Sequence, residues 1–168
     1  MIFLTVGTHE PFDRLVQAMD KWCEAHPDHP PVFGQITAPI ETAYRPQHFK
    51  WVDRLTPTEF ADQFARASLI VSHAGMGTII SALQLGKPVV VMPRRGHLGE
   101  TRNDHQFATA NQLATRPGIC VAVDEGQLGH CINRTLAHLT DANAPQISEF
   151  ADNRFTSALR DFILASQK

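Results

Sequence analysis

The sequence predicts one α/β domain built on a doubly wound parallel sheet with helices on both faces. Short apolar runs alternate with stretches of helical period, the pattern of consecutive βαβ units. The apolar runs are continuous, as expected of strands covered on both sides. The chain's 168 residues, 43% of them hydrophobic, suit a single domain of about 150 residues with a proper core.

Taken in order, residues 2–6 form the first strand and end at Gly7. Residues 11–25 follow helical spacing, with Phe12, Leu15, Val16, Met19, Trp22 and Cys23 on one face. Pro27, Pro30 and Pro31 stop that helix. Strands are predicted at 32–36 and 49–52. Thr56-Pro57-Thr58-Glu59 is a capping box with proline at the first helical position, and it opens a helix through Ala67. A buried strand at 69–72 runs into His73-Ala74-Gly75-Met76-Gly77-Thr78, and a helix from about Thr78 to Leu85 stops at Gly86. A strand at 89–92, a loop rich in Arg and Gly at 93–103 and a helix at 104–115 come next. A strand at 119–123, a helix at 125–139 and a tail helix at 147–168 complete the chain. Residues 140–146 are the linker candidate, dividing a domain at 1–140 from a C-terminal helix segment at 141–168.

Composition excludes several classes. Fifteen basic against 17 acidic residues, a net charge of −2, is no glove for nucleic acid. No apolar run approaches the ~20 residues of a bilayer span, and the N-terminus has neither a basic region nor a cleavage signal. Three cysteines spread over the chain make no disulfide framework, so reduced thiols and a cytoplasmic setting are expected.

In such a sheet a ligand sits beyond the carboxyl ends of the strands, where the strand order reverses. Three loops at that end carry unusual residues. In Gly7-Thr8-His9-Glu10-Pro11 a glycine permits close backbone approach, Thr8 offers a hydroxyl, and the next helix N-terminus attracts phosphate. The same loop would serve as a plain tight turn, and it lacks the G-x-G-x-x-G fingerprint. In the second loop Gly75 and Gly77 remove Cβ atoms at a helix N-terminus, so amides can face a diphosphate beside His73. Packing of helix on strand is the plainer use of those glycines. In the third, Arg94 and Arg95 offer guanidinium forks for phosphate or carboxylate, or form a solvated loop. Asp104-His105-Gln106 then sets a carboxylate, an imidazole and an amide at a helix start, where Asp104 also fits an N-cap. Cys23-x-x-His26-x-x-His29 has zinc-like spacing, but Cys23 belongs to an apolar face and no fourth ligand stands near. No metal site is expected. Neither a G-x-S-x-G elbow nor a Walker A lysine is present.

The stretch from Ile2 through Gly7-Thr8-His9-Glu10-Pro11-Phe12-Asp13-Arg14 to Val16 comes first, followed by Ser72-His73-Ala74-Gly75-Met76-Gly77-Thr78. Gly86-Lys87-Pro88 with Pro93-Arg94-Arg95, and then Asp104-His105-Gln106, complete a set of four motifs in order. Over roughly residues 1–140 this set resembles the C-terminal-domain family of glycosyltransferase family 28. The pattern is that of the soluble subunits of two-component bacterial exopolysaccharide enzymes. More distantly, it is similar to the soluble half of the dolichol-linked N-acetylglucosamine transferase. The resemblance implies a Rossmann-like domain, the donor-binding half of a GT-B fold, that takes a UDP-sugar without a metal or other cofactor. It implies an inverting hexosyl transfer onto a polyprenyl-diphosphate-linked sugar. It also implies a membrane-anchored acceptor-binding subunit that holds the chain at the inner face of the cytoplasmic membrane.

Donor contacts carried over from the family fall on Gly7, Thr8, His73, Gly75, Met76, Gly77, Thr78, Arg94, Asp104, His105 and Gln106. Ser81 stands where members with a ribose-binding acid carry Glu, so a hydroxyl replaces a carboxylate there. His9 is the general-base candidate on this chain, and a base on the partner is the other assignment. A non-catalytic accessory subunit and a free-standing nucleotide-sugar-binding protein are the competing functions. In the tail, Ile147, Phe150, Ala151, Phe155, Ala158, Leu159, Phe162 and Ile163 recur at helical steps. That stripe either covers the chain's own sheet or docks a partner. Docking is expected around Phe155, Leu159 and Phe162, with a homodimer for the isolated chain.

Overall fold

In the computed structural model, which describes residues 1–8, 10–37, 43–139, 146–147 and 153–165, the chain starts at the centre of its sheet. From β1 (Ile2–Thr5) it passes through α1 (Asp13–Ala25) to β2 (Val32–Gln35) and outward to β3 (Lys50–Val52). Helix α2 (Pro57–Arg66) then carries it back to β4 (Leu69–His73), on the other side of β1. The second half runs α3 (Met76–Gln84), β5 (Val89–Met92), a 3-10 turn (Gly96–Leu98), α4 (His105–Leu113), β6 (Ile119–Val121), α5 (Glu125–Ala137) and α6 (Asn153–Ala165). The strand order is β3-β2-β1-β4-β5-β6, and every pairing is parallel. The doubly wound sheet is as predicted.

The period of two along β1 sends its side chains to two cores. Ile2 and Leu4 join Leu15 and Met19 of α1 and Leu128 and Ile132 of α5 on one face. Phe3 joins Phe64 of α2 and Ile79 and Leu83 of α3 on the other. A strand with no solvent face explains why the sequence shows a continuous apolar run. The capping box forms as read: Thr56 Oγ1 accepts from the Glu59 amide at 3.3 Å, and Glu59 accepts from the Thr56 amide at 2.8 Å.

One polar residue is buried deliberately in α1. Asp20 accepts from the Tyr44 hydroxyl at 2.7 Å and from the Gln47 and His48 amides at 3.0 and 2.8 Å. Burial alone would raise its pKa, but the bonds from Tyr44, His48 and Gln47 overcome that and lower it. Asp20 therefore pins the approach to β3 onto the helix.

Two differences from the predicted elements bear on the site and the tail. Helix α3 begins at Met76, because Gly75 is already the extended N-cap, so Met76, Gly77 and Thr78 form its first turn. At the tail, the described residues of α6 are Asn153–Ala165, and Ile147 lies outside any helix, donating its amide to the Leu83 carbonyl at 3.1 Å, at the end of α3. Ile147 is therefore no part of a helical stripe. The described side chains of α6 are all exposed, including Ile163 and Leu164 at 49% and 58%. Two consecutive exposed apolar residues spread the surface around the helix beyond one stripe. Phe150, Ala151 and the side chains of Phe155 and Leu159 lie outside the described residues. No helix among the described residues is long and apolar enough to cross a membrane.

Candidate functional site

The crossover between β1 and β4 opens a cleft of about 400 Å³ at the carboxyl ends of the strands. Its walls come from the β1–α1 loop (Gly7, Thr8, Glu10), the end of β4 (His73), and the β5–α4 segment (Arg94, Thr101, Arg102, Asn103, His105, Gln106). Six of the expected donor residues thus share one cleft: Gly7, Thr8, His73, Arg94, His105 and Gln106. His9 lies outside the described residues.

The glycines do different work. Gly7 has φ +89°, a backbone that favours glycine, and a Cβ there would lie 3.1 Å from His73 Cε1. A Cβ at Gly75 would come within 2.2 Å of His73 Nε2. The imidazole is therefore wedged between these two glycines, and Gly75 exists to clear it. At Gly77 a Cβ would meet nothing within 4 Å. The space over the first turn of α3 is open, and no acceptor among the described residues meets the amides of Met76, Gly77 or Thr78. Unpaired amides at a helix N-terminus with nothing over them make an anion seat. This turn lies beside the cleft, across His73 from Gly7.

His73 is held neutral. Burial pushes its pKa down, the charge of Arg94 pushes it further, and a backbone hydrogen bond to Thr5 offsets part of this, leaving it at about 4. Its Nδ1 is buried without a partner among the described residues. A neutral imidazole offers one donor and one acceptor rather than a cation.

Arg94 departs from the role expected of it. Its guanidinium is buried and donates to the carbonyls of Val6 at 3.0 Å, Glu10 at 2.7 Å, Pro11 at 2.7 Å and Glu100 at 3.2 Å. It also lies 4.6 Å above the Phe12 ring. With four N–H groups on backbone carbonyls, it braces the β1–α1 loop and presents no fork to an anion. Arg95 is likewise engaged, donating to the Val123 carbonyl at 2.7 Å. Glu100 closes the brace by accepting from Arg14 Nε and Nη2 at 2.7 and 2.8 Å.

The Arg94 backbone amide donates to Gln106 Oε1 at 3.2 Å. That bond leaves the Gln106 Nε2 donor for the cleft, although Gln106 is otherwise buried. Asp104 does not line the cleft; it stands at the N-cap of α4, but its side chain bonds no helix amide, and Oδ1 instead accepts from the Gly96 amide at 2.7 Å and ties down the 3-10 turn. His105 is exposed, with Nδ1 against Asn103 Oδ1. Ser81 does not reach the cleft. It lines a separate depression of about 430 Å³ with Gln84, Leu85, Gln146 and Ile147.

Arg102 is the guanidinium that sequence reasoning did not single out. It is exposed, lines the cleft, and has no acidic partner among the described residues. Composition marked the 93–103 loop as cationic without telling bracing arginines from a free one. The zinc-like spacing at 23–29 is used for packing instead. Cys23 is buried, His26 Nδ1 pairs with the Trp22 carbonyl at 2.8 Å, and both histidine rings lie against Trp22.

Known proteins resemble this chain in sequence and in fold. The UDP-N-acetylglucosamine transferase subunit ALG13 of Yarrowia lipolytica is 33% identical over 87 residues, covering 49% of this chain and 42% of that protein. The mouse subunit of the same name is 34% identical over 76 residues, 45% of this chain and 5% of its own length. The chain thus spans less than half of these relatives. In fold it is similar to the solution structure of ALG13 (TM-score 0.57, 18% identity, 94% and 93% of the two chains). It is similar, too, to the crystal structure of the glycosyltransferase of kitacinnamycin (TM-score 0.60, 19% identity, 84% of this chain and 35% of that one). Residues 1–163 match the glycosyltransferase family 28 C-terminal domain. With that match running through the sheet, the cleft and the open first turn of α3, the chain belongs to the glycosyltransferase family 28 C-terminal domain family.

Proposed function

We propose that this chain is the donor-binding, catalytic subunit of a UDP-sugar-dependent glycosyltransferase completed by a second polypeptide. The observation that carries this is the free first turn of α3, with unpaired amides at Met76, Gly77 and Thr78 beside the cleft, in a chain that belongs to a glycosyltransferase family. The diphosphate of UDP would lie on these amides, with Arg102 at its outer side. Negative charge builds on the departing diphosphate as the anomeric C–O bond breaks, and fixed amide dipoles stabilise it best at that point. The acceptor hydroxyl attacks the anomeric carbon from the opposite face and inverts it. Gln106 Nε2, oriented by the Arg94 amide, is the donor placed for a sugar hydroxyl. His73, neutral, bounds the space between the diphosphate and Gly7. The proton of the acceptor goes to His9 or to a base on the partner.

The partner in this proposal is a membrane-anchored protein that binds a polyprenyl-diphosphate-linked sugar in exopolysaccharide assembly, and the chain reaches the membrane through it. The exposed helix α6, with Ile163 and Leu164 in solvent, is the dock. The test is a transfer assay with a panel of UDP-sugars and lipid-linked acceptor, run with the chain, with a membrane-anchored acceptor-binding protein from the same organism, and with both. Product only with both is expected. Product from the chain alone would overturn the need for a partner, and product from the partner alone would make this chain an accessory. Removing residues 153–168 should abolish co-purification of the two while UDP binding persists.

A further inference from the structure

Between β6 and α5, a guanidinium and a second thiol face one sulfur. Cys120 lies on β6, the edge strand, and Cys131, Arg134 and Thr135 lie on α5. Those three residues stand at i, i+3 and i+4, one face of a helix, and that face is turned to Cys120. Arg134 Nη2 donates to Cys120 Sγ at 3.0 Å, the Cys131 side chain faces the same sulfur, and the Thr135 hydroxyl donates instead to the Cys131 carbonyl at 2.8 Å. Apolar packing between a helix and a sheet asks for none of these donors. Cys120 and Cys131 are buried at 6% and 4% exposure, but Arg134 is exposed, so the sulfur sits one side chain below the surface. The third cysteine, Cys23, is buried in α1 with no such donors.

We propose that Cys120 and Cys131 form a reactive dithiol that hydrogen peroxide oxidises to a disulfide, with Cys120 the attacking sulfur and Cys131 the resolving one. The Cys120 thiolate attacks the distal peroxide oxygen; the S–O bond forms, the O–O bond breaks, and the leaving hydroxide takes a proton to become water. The Cys131 sulfur then attacks the sulfenic sulfur, the S–S bond forms, and the second oxygen leaves as water. Two thiols lose two electrons and two protons, and one peroxide becomes two waters. Cys131 and Arg134 together lower the Cys120 pKa against the effect of burial, whereas Cys131 is pushed up by its interaction with Cys120 and by burial, with the charge of Arg134 opposing. Cys131 and Arg134 are the titratable and charged groups facing Cys120 among the described residues. Cys23, by contrast, is pushed up to about 12 by burial and then by the charge of Asp20.

The test is iodoacetamide labelling of the reduced full chain at pH 7, followed by peptide mass spectrometry of all three cysteines. A thiol ionised at pH 7 holds about 10⁵ times more thiolate than one titrating near 12, and its weaker nucleophilicity gives back roughly 10³, so Cys120 should react about a hundredfold faster than Cys23. Arg134→Gln should slow Cys120 and move its pH profile upward, and Arg134→Lys, which keeps a cation, should restore much of the rate. With hydrogen peroxide the wild type should yield a Cys120–Cys131 linked peptide. Cys131→Ser should stop at a sulfenic acid trapped by dimedone. Equal labelling of Cys120 and Cys23, or an unchanged rate in folded Arg134→Gln, would overturn the activated thiol. Fast labelling without the linked peptide would overturn the resolving role of Cys131. None of these readouts involves UDP, so their failure leaves the proposed transferase function untouched.

Discussion

Replacing His73 with Gln should flatten the acid side of the stability profile. The folded imidazole titrates at about 4 against an ordinary 6.5, so between those values the unfolded chain binds the proton and the folded chain does not. Stability from this residue is therefore fully present above pH 6.5 and is lost as the pH falls towards 4. Each pH unit within the window is worth about 1.4 kcal/mol, which gives about 2 kcal/mol between pH 8 and 5 and about 3 kcal/mol by pH 4. The shifted carboxylates, Asp20, Glu59 and Glu125, all lie below their ordinary values of 3.8 to 4.5 and enter only at the acid end. Urea unfolding followed by circular dichroism at pH 8, 7, 6 and 5 isolates the imidazole in the difference between wild type and His73→Gln, because the lowered Cys120 thiol contributes over the same range in both proteins. The wild type should lose about 2 kcal/mol more than His73→Gln over that range. An equal loss in both proteins would show that the histidine wedged between Gly7 and Gly75 is not held neutral by the fold.

Three further outcomes follow from the same contacts. Arg94→Gln removes the donor from four carbonyls and should cost at least about 3 kcal/mol in urea unfolding. It should also raise the His73 pKa read by NMR, since the charge of Arg94 helps depress it. Asp20→Ala leaves the Tyr44 hydroxyl and the Gln47 and His48 amides without their acceptor; a loss of at least about 2 kcal/mol at pH 7, shrinking as the pH falls below the ordinary carboxylate range, is expected in the same assay. Gln106→Ala should lower the transfer rate of the reconstituted enzyme more than it lowers UDP affinity, by about 0.5–1.5 kcal/mol for one neutral hydrogen bond. Parallel changes in rate and affinity would count against a sugar contact.

The sheet was legible because its signals are local: continuous apolar runs, the Thr56–Glu59 capping box and the prolines after α1 each act within a few residues. The positions of the loops were legible for the same reason, since β-strand ends and helix starts bracket them. What each loop side chain touches was not. Arg94 finds its carbonyls at Val6, Glu10 and Pro11, more than eighty positions away along the chain, so no local pattern distinguishes a brace from an anion fork. Gly75 and Gly77 look alike in sequence, yet the first clears an imidazole and the second faces open space. The placement of Ser81 turned on helical phase: with α3 starting at Met76 it falls on the side towards Gln84, Gln146 and Ile147. A tail helix is present, but an apolar count at helical steps does not see that Ile147 lies outside it, its amide bonded to the Leu83 carbonyl.

The open first turn of α3 is where a diphosphate must sit if the account is right, and calorimetric titration of UDP against wild type and Gly77→Val probes it most directly. Nothing within 4 Å of a Cβ at Gly77 opposes the side chain, so the variant should fold with an unchanged thermal midpoint. Each amide–phosphate bond is charge-assisted and worth about 1.5–3 kcal/mol, so blocking even one should weaken UDP by at least about tenfold. Wild-type affinity should be the same with and without EDTA. A folded Gly77→Val protein that binds UDP as the wild type does would contradict the account, and loss of wild-type binding in EDTA would contradict its metal-free form.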